Sequence, residues 1–246
     1  MSGAWMGAMS CAAGTIAAAG ACLGYAVRGR SSTFLAPSMY RGDPSRSELA
    51  ITFDDGPSES TPALLRILEE HRVRATFFMC GANVRRLPGV AREVLAAGHE
   101  IGNHSDTHAR FDFKSPDFIY RELALAQDAI HAATGLQPGL FRAPYGVRWF
   151  GLRHAQRRLG LTGVMWTVIG RDWSLPGGRV AQRLIGGAAN GGVLCLHDGR
   201  TIHAAPDIRN TIDAVRAALP RLLDKGFEFR TAGDLFYAPQ AYAAQS

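Results

Sequence analysis

An α/β fold with mostly parallel strands is predicted by two features of the chain. Short apolar runs alternate with segments of helical period, and most of the apolar runs end in polar residues able to do chemistry. The 246 residues are enough for one barrel-sized domain with a large core. The first strand is read over Leu49–Phe53, where an apolar run stops at Asp54, Asp55 and a Gly-Pro turn. Helix Thr61–His71, strand Ala75–Met79, helix Gly89–Ala97 and strand His99–Gly102 follow. Pro116–Thr134 is the longest helix candidate, with Ile119, Leu123, Ala126 and Ile130 forming an apolar stripe. Strand Gly139–Arg142, helix Trp149–Leu159, strand Gly163–Val168 and helix Arg179–Ala189 come next, then strand Gly192–Leu196, helix Ile208–Lys225 and strand Phe227–Thr231. About seven parallel strands suit a distorted, incomplete (β/α) barrel.

Residues 1–30 differ in kind. No charged residue lies between Trp5 and Val27, and Ala and Gly dominate. The stretch is long enough to cross a bilayer but only weakly apolar. No Lys or Arg precedes it, unlike an ordinary signal peptide. Arg28 and Arg30 follow it, which by the positive-inside rule favours a cytoplasmic domain. Residues 1–30 are therefore expected to be a membrane anchor or signal-like segment and 31–246 one folded domain, membrane-associated or exported, with its side left open. A domain starting near Ser31 is expected to be separable and monomeric. Four cysteines show no paired spacing, and Cys80 and Cys195 read as small core residues. The net charge of +6 is dispersed and no basic tract is interleaved with aromatics, which argues against a nucleic-acid partner.

Several strand ends carry chemistry. Adjacent carboxylates at Asp54 and Asp55 point in different directions, so one can bind a metal while its neighbour acts as a base. Alone, that sequence is equally a polar turn. His104 and His108 are four apart, so on one helical turn both imidazoles share a face. Two His and one carboxylate are a common ligand set for catalytic zinc. Arg142 ends a run that turns at Pro144, Asp172 and Trp173 end another, and His197 closes the apolar strand at Leu196. Singly, each has a bland reading as a surface Arg, a turn Asp with a packing Trp, or a capping His.

Together these segments resemble the polysaccharide deacetylase family, also called the NodB homology domain or carbohydrate esterase family 4. Thr52-Phe53-Asp54-Asp55-Gly56-Pro57, His104-Ser105-Asp106-Thr107-His108, Arg142-Ala143-Pro144-Tyr145, Arg171-Asp172-Trp173 and Leu194-Cys195-Leu196-His197 follow the family's five motifs in order. The resemblance runs from Leu49 to Phe236. One position departs: the fourth motif begins with Asp in the family and with Ile169 here.

The resemblance implies a catalytic domain that removes N-acetyl groups from a glycan using a divalent metal, zinc or alternatively cobalt. It assigns Asp55, His104 and His108 to the metal and Asp54 to the general base. Arg142 holds Asp54, the Tyr145 backbone N–H stabilises the oxyanion, His197 is the general acid, and Asp172 orients His197. Pro144, Tyr145, Trp173 and Leu196 are expected to contact substrate. Two alternatives stand beside it: a same-fold enzyme acting on O-acetyl xylan or a lipid-linked formamido sugar, and a non-catalytic glycan-binding module.

Overall fold

The structure is a computed structural model, and it describes residues 18–237. Residues 5–17 of the apolar segment, Cys11 among them, lie outside the described part. Residues 18–28 form a helix (α1), and no described helix is long and apolar enough to cross a membrane.

The sheet is built from β1 (Ser38–Met39), β2 (Glu48–Gly56), β3 (Thr76–Met79), β4 (Glu100–Asn103), β5 (Leu140–Phe141), β6 (Thr162–Val164), β7 (Val168–Ile169), β8 (Gly192–His197) and β9 (Glu228–Arg230). Its order is β1-β6-β5-β4-β3-β2-β8-β7, and every pairing is parallel. β9 pairs with Glu48–Ala50 of β2, in line with β3, which pairs higher up. The sheet thus has nine described strands, against about seven expected. β6 and β7 stand near opposite ends of that order, yet only residues 165–167 separate them. Four Cα steps reach at most about 14 Å, so the sheet must curl until its ends nearly meet. This is the expected incomplete barrel. It also corrects one strand: Gly163–Val168 is two short strands, because its middle carries the chain from one end of the sheet to the other. Met165 N–H donates to Met39 O at 2.7 Å and Thr167 N–H to Val193 O at 2.9 Å.

Helices α2 (Thr61–Glu70), α4 (Pro88–Ala96), α5 (Pro116–Thr134), α6 (Leu152–Leu159), α7 (Gly177–Gly187) and α8 (Arg209–Asp224) fall where helical period placed them, and α3 (Gly81–Arg86) and α9 (Ala232–Tyr237) are additional. α5 has the expected ends. Ser115 accepts the Phe118 N–H, Pro116 fills the first turn, and Gly135 closes it in the left-handed region at φ 74°. Its buried stripe is Ile119, Leu123, Ala126 and Ile130. α8 runs through Pro220 although a proline inside a helix costs about 3 kcal/mol. Burial of Val215, Leu219 and Leu222 on its inner face offsets that cost.

The main core lies between sheet and helices and includes Phe53, Phe77, Val180 and Leu196; Phe53 and Phe77 stack at 4.9 Å. Side chains alternate along each strand, so the opposite face of β2 and β8, with Thr52, Asp54, Cys195 and His197, looks into the barrel. The expected division at residue 30 does not coincide with a break in packing. Ala26, Ser32, Leu35 and Ala36 are buried, and Arg148, itself 1% exposed, donates to Ser32 O at 2.6 Å and to Gly29 O.

Candidate active site and metal centre

Adjacent strand residues normally face opposite sides of a sheet, so two neighbouring acids should not serve one site. β2 breaks that rule with a bulge. Asp54 pairs with Phe78 and Gly56 with Met79, leaving Asp55 as the extra residue at φ 72°. The bulge brings the second carboxylate to the same cavity as the first. Ser105, His108, Tyr145, Arg171 and Thr201 also have positive φ. Strain of this kind persists only where surrounding contacts enforce it, and Asp55, His108, Tyr145 and Thr201 line one cavity.

Asp55 is 4% exposed. Its Oδ1 lies 3.3 Å from His104 Nε2 and 3.0 Å from His108 Nε2, and it accepts no hydrogen bond of acceptable geometry. His104 Nδ1 is 2.8 Å from the Arg142 carbonyl, which fixes the proton there and leaves Nε2 its lone pair. His104 Nε2 and Asp55 Oδ1 thus meet as two acceptors with His108 Nε2 beside them, and a cation between the three would remove that repulsion. The donor set therefore fits a divalent metal, and carboxylate with two imidazoles is a zinc-type set. Thr201 N–H donates to Asp55 Oδ2 at 2.8 Å.

The His pair is not on a helix. Residues 104–108 form a loop after β4. Asn103 Oδ1 accepts the Ser105 N–H at 2.8 Å, and Ser105 Oγ accepts the His108 N–H at 3.1 Å. Glu122 of α5 takes the N–H groups of Asp106 and Thr107. These bonds and two left-handed residues bring the imidazoles to a ring separation of 5.0 Å.

Asp54 sits apart from the two imidazoles. Arg142, fully buried, donates from Nη1 to Asp54 Oδ1 at 2.6 Å and to Thr52 Oγ1 at 2.8 Å. Its Nε reaches the Val164 carbonyl at 3.1 Å. Cys195 Sγ lies 3.5 Å from Asp54 Oδ2. Asp54 is in register with His197 on the adjacent strand. His197 Nδ1 is 2.9 Å from Asp172 Oδ1, and the Trp173 ring stands edge-on at 5.1 Å. Asp172 also accepts from Thr211 Oγ1 at 2.6 Å. Burial pulls His197 down, but Asp172 above all, then Asp55 and Asp54, raise its pKa to about 9. Asp198 is buried beneath Gly56 with Thr61 Oγ1 donating to it at 2.6 Å, and burial raises its pKa to about 7.

The cavity above these groups has a volume of about 600 Å³, and Asp54, Asp55, His104, His108 and His197 line it. Tyr145 and Trp173 form walls, and the Tyr145 ring packs 4.6 Å from His108. Ile169 also lines the cavity, so an apolar side chain stands where the family motif begins with Asp. Leu196 requires correction. It is paired with Phe53 in the helix-facing core, because side-chain alternation turns Cys195 and His197, not Leu196, to the cavity. Pro144 is buried and lies behind the lining, where it starts the turn that presents Tyr145. Cys195, Thr201, Arg28, Arg110 and Arg200 were missed; the period of β8 alone could have pointed to Cys195.

Residues 41–164 match the family described as polysaccharide deacetylase. The chain belongs to that family. A chitooligosaccharide deacetylase of Bradyrhizobium is 35% identical over 187 residues, covering 72% of this chain and 85% of that protein. A peptidoglycan-N-acetylglucosamine deacetylase, PgdA, of Listeria monocytogenes is 33% identical over 194 residues; the match covers 78% of this chain but only 39% of the Listeria protein. Among solved structures, BA3943 of Bacillus anthracis, a CE4 family pseudoenzyme, is similar with a TM-score of 0.74 and 27% identity, covering 82% of this chain and 69% of that one. Both deacetylases and a pseudoenzyme thus resemble this chain.

Proposed function

We propose that the chain is a metal-dependent hydrolase that removes N-acetyl groups from N-acetylglucosamine units of a glycan. Because a pseudoenzyme shares the fold, side chains must carry this reading, not the fold. The observation that carries it is the division of two adjacent acids. Asp55 faces two imidazoles, while Asp54 is gripped by Arg142 and stands in register with His197.

Asp55, His104 and His108 would hold a divalent cation, zinc or alternatively cobalt, which would supply Lewis-acid activation of water and of the acetyl carbonyl. Asp54 takes the proton of the attacking water. Arg142 aims its carboxylate by a charge-assisted bond. The Tyr145 backbone N–H donates to the developing oxyanion. His197, kept protonated by Asp172, delivers a proton to the leaving nitrogen as the C–N bond breaks. Acetate and a free amine result. Tyr145 and Trp173 offer aromatic walls to the sugar ring. Such a substrate belongs to a cell-envelope or extracellular glycan, which agrees with a membrane-associated or exported domain.

The test is acetate release from N-acetylglucosamine oligomers, peptidoglycan and acetylxylan, with zinc or cobalt added. Release from the first two carries the proposal. Release from acetylxylan alone would favour the esterase alternative, and none from any substrate would leave a glycan-binding module.

A further inference from the structure

The mouth of the cavity is basic, and one of its cations comes from outside the domain expected from the sequence. Arg28, the last described residue of α1, lines the cavity together with Arg110 and Arg200. It is exposed and, among the described residues, makes no hydrogen bond or ion pair. Its place is nevertheless fixed, because the chain is tied down on both sides of it. Arg148 N–H donates to Val27 O at 3.0 Å, the Arg148 guanidinium donates to Gly29 O and Ser32 O, and Arg30 donates to Thr167 O. A tethered backbone with an unpaired guanidinium over the catalytic cavity is the arrangement of a recognition group, since ordinary solvated arginines need no such bracing.

The charges around it favour an anion. Arg110 stacks over the Tyr145 ring at 5.7 Å, beside the metal ligand His108. It is bonded to Asp112 at 3.1 and 2.6 Å. Arg110 and, more weakly, Arg28 pull the Asp112 carboxyl down. Asp112 thus pairs with Arg110 and leaves the unpaired Arg28 as a positive charge over the opening. Arg200, on the cavity wall, is 3.6 Å from Asp172, whose closer partner is His197. The acids that line the cavity, Asp54 and Asp55, lie at its floor and are engaged there.

We propose that Arg28, with Arg110, binds an anionic substituent of the glycan, a carboxylate or a phosphate, and so makes the N-terminal segment part of the substrate site. This rests on the deacetylase reading and narrows its substrate to an acidic glycan over a neutral one. Such a cation acts through a partly exposed pair worth up to about 1 kcal/mol, or about five-fold, and it is screened by salt.

The experiment compares kcat/KM for N-acetylchitotetraose, the same oligomer carrying a reducing-end phosphate, and a peptidoglycan fragment carrying free carboxylates. The metal-loaded full chain is assayed beside Arg28→Ala, Arg28→Lys and, as a control on the exposed face of α2, Arg66→Ala. The preference for an anionic substrate over the neutral one should fall about five-fold in Arg28→Ala. It should survive in Arg28→Lys and Arg66→Ala, and fade as salt rises toward about 0.5 M. Loss confined to the phosphorylated oligomer or to the carboxylated fragment identifies the anion. Binding of the same three compounds, read by tryptophan fluorescence, gives the preference without turnover. An equal preference in Arg28→Ala and wild type, in binding and in turnover, overturns the inference. Absence of acetate release with an Arg28-dependent binding preference would instead defeat the deacetylase reading alone.

Discussion

The floor and the rim of the cavity are built on different principles. At the floor, Asp54, Asp55, His104, His108 and Arg142 are buried, and most of their polar atoms have an assigned partner. At the rim, Arg28 and Arg110 are exposed and held through backbone tethers or a single carboxylate. A buried charge is costly unless paired, so each floor residue depends on its neighbours and tolerates no exchange. A rim charge loses little by acting in water and can be exchanged at small cost. On the proposed reading, chemistry belongs to the floor and choice of substrate to the rim.

This contrast orders the expected effects of substitution. The largest follows from the proposed general acid. His197→Ala should lower kcat by about 10²–10⁴-fold while metal content stays at the wild-type level. A loss of metal with the loss of rate would show that His197 belongs to the metal cluster.

A smaller effect separates His197 from its support. The raised pKa means that the acid form is populated below about 9, so kcat should fall as pH rises through that value. The stability that the His197–Asp172 pair contributes is likewise full below the unfolded histidine pKa of about 6.5 and lost as pH rises through about 9. With a cation on Asp55, Asp172 remains the dominant source of the shift. Asp172→Asn should move the alkaline limb of the kcat profile down toward 6.5. An unmoved limb would assign it to another group.

The smallest effect lies at the rim's foundation. Arg148→Met removes the donors to Gly29 O and Ser32 O and should cost about 1–3 kcal/mol. That lowers Tm by roughly 2–12 °C. Turnover on a neutral oligomer should change less than the anionic preference. Equal loss on both substrates would mean that the N-terminal segment supports the floor as well.

The same division governs what could be read from sequence. Floor residues fall at strand ends marked by apolar runs and turn residues, and their types are dictated by the chemistry, so Asp54, Asp55, His104, His108, Arg142 and His197 all stood out. The means of bringing them together did not. A bulge at Asp55 is one residue's φ, and nothing in Asp-Asp-Gly-Pro requires it. The spacing of His104 and His108 suggested a helical turn, whereas a loop with left-handed Ser105 and His108 does the work. Leu196 is a substrate contact only by the resemblance, and strand alternation sends it to the core. Gly29 and Arg148 meet across more than a hundred residues of chain, a contact that no local pattern records.

The central claim is that Asp54 moves the proton and Asp55 holds the metal. It is tested most directly by measuring zinc content and acetate release together in Asp54→Asn and Asp55→Asn. Asp54→Asn should keep its zinc and lose about 10²–10⁴-fold in rate, and Asp55→Asn should lose the zinc itself. Zinc lost from Asp54→Asn but kept by Asp55→Asn would reverse the two roles, and wild-type rates in both would contradict the account of the site.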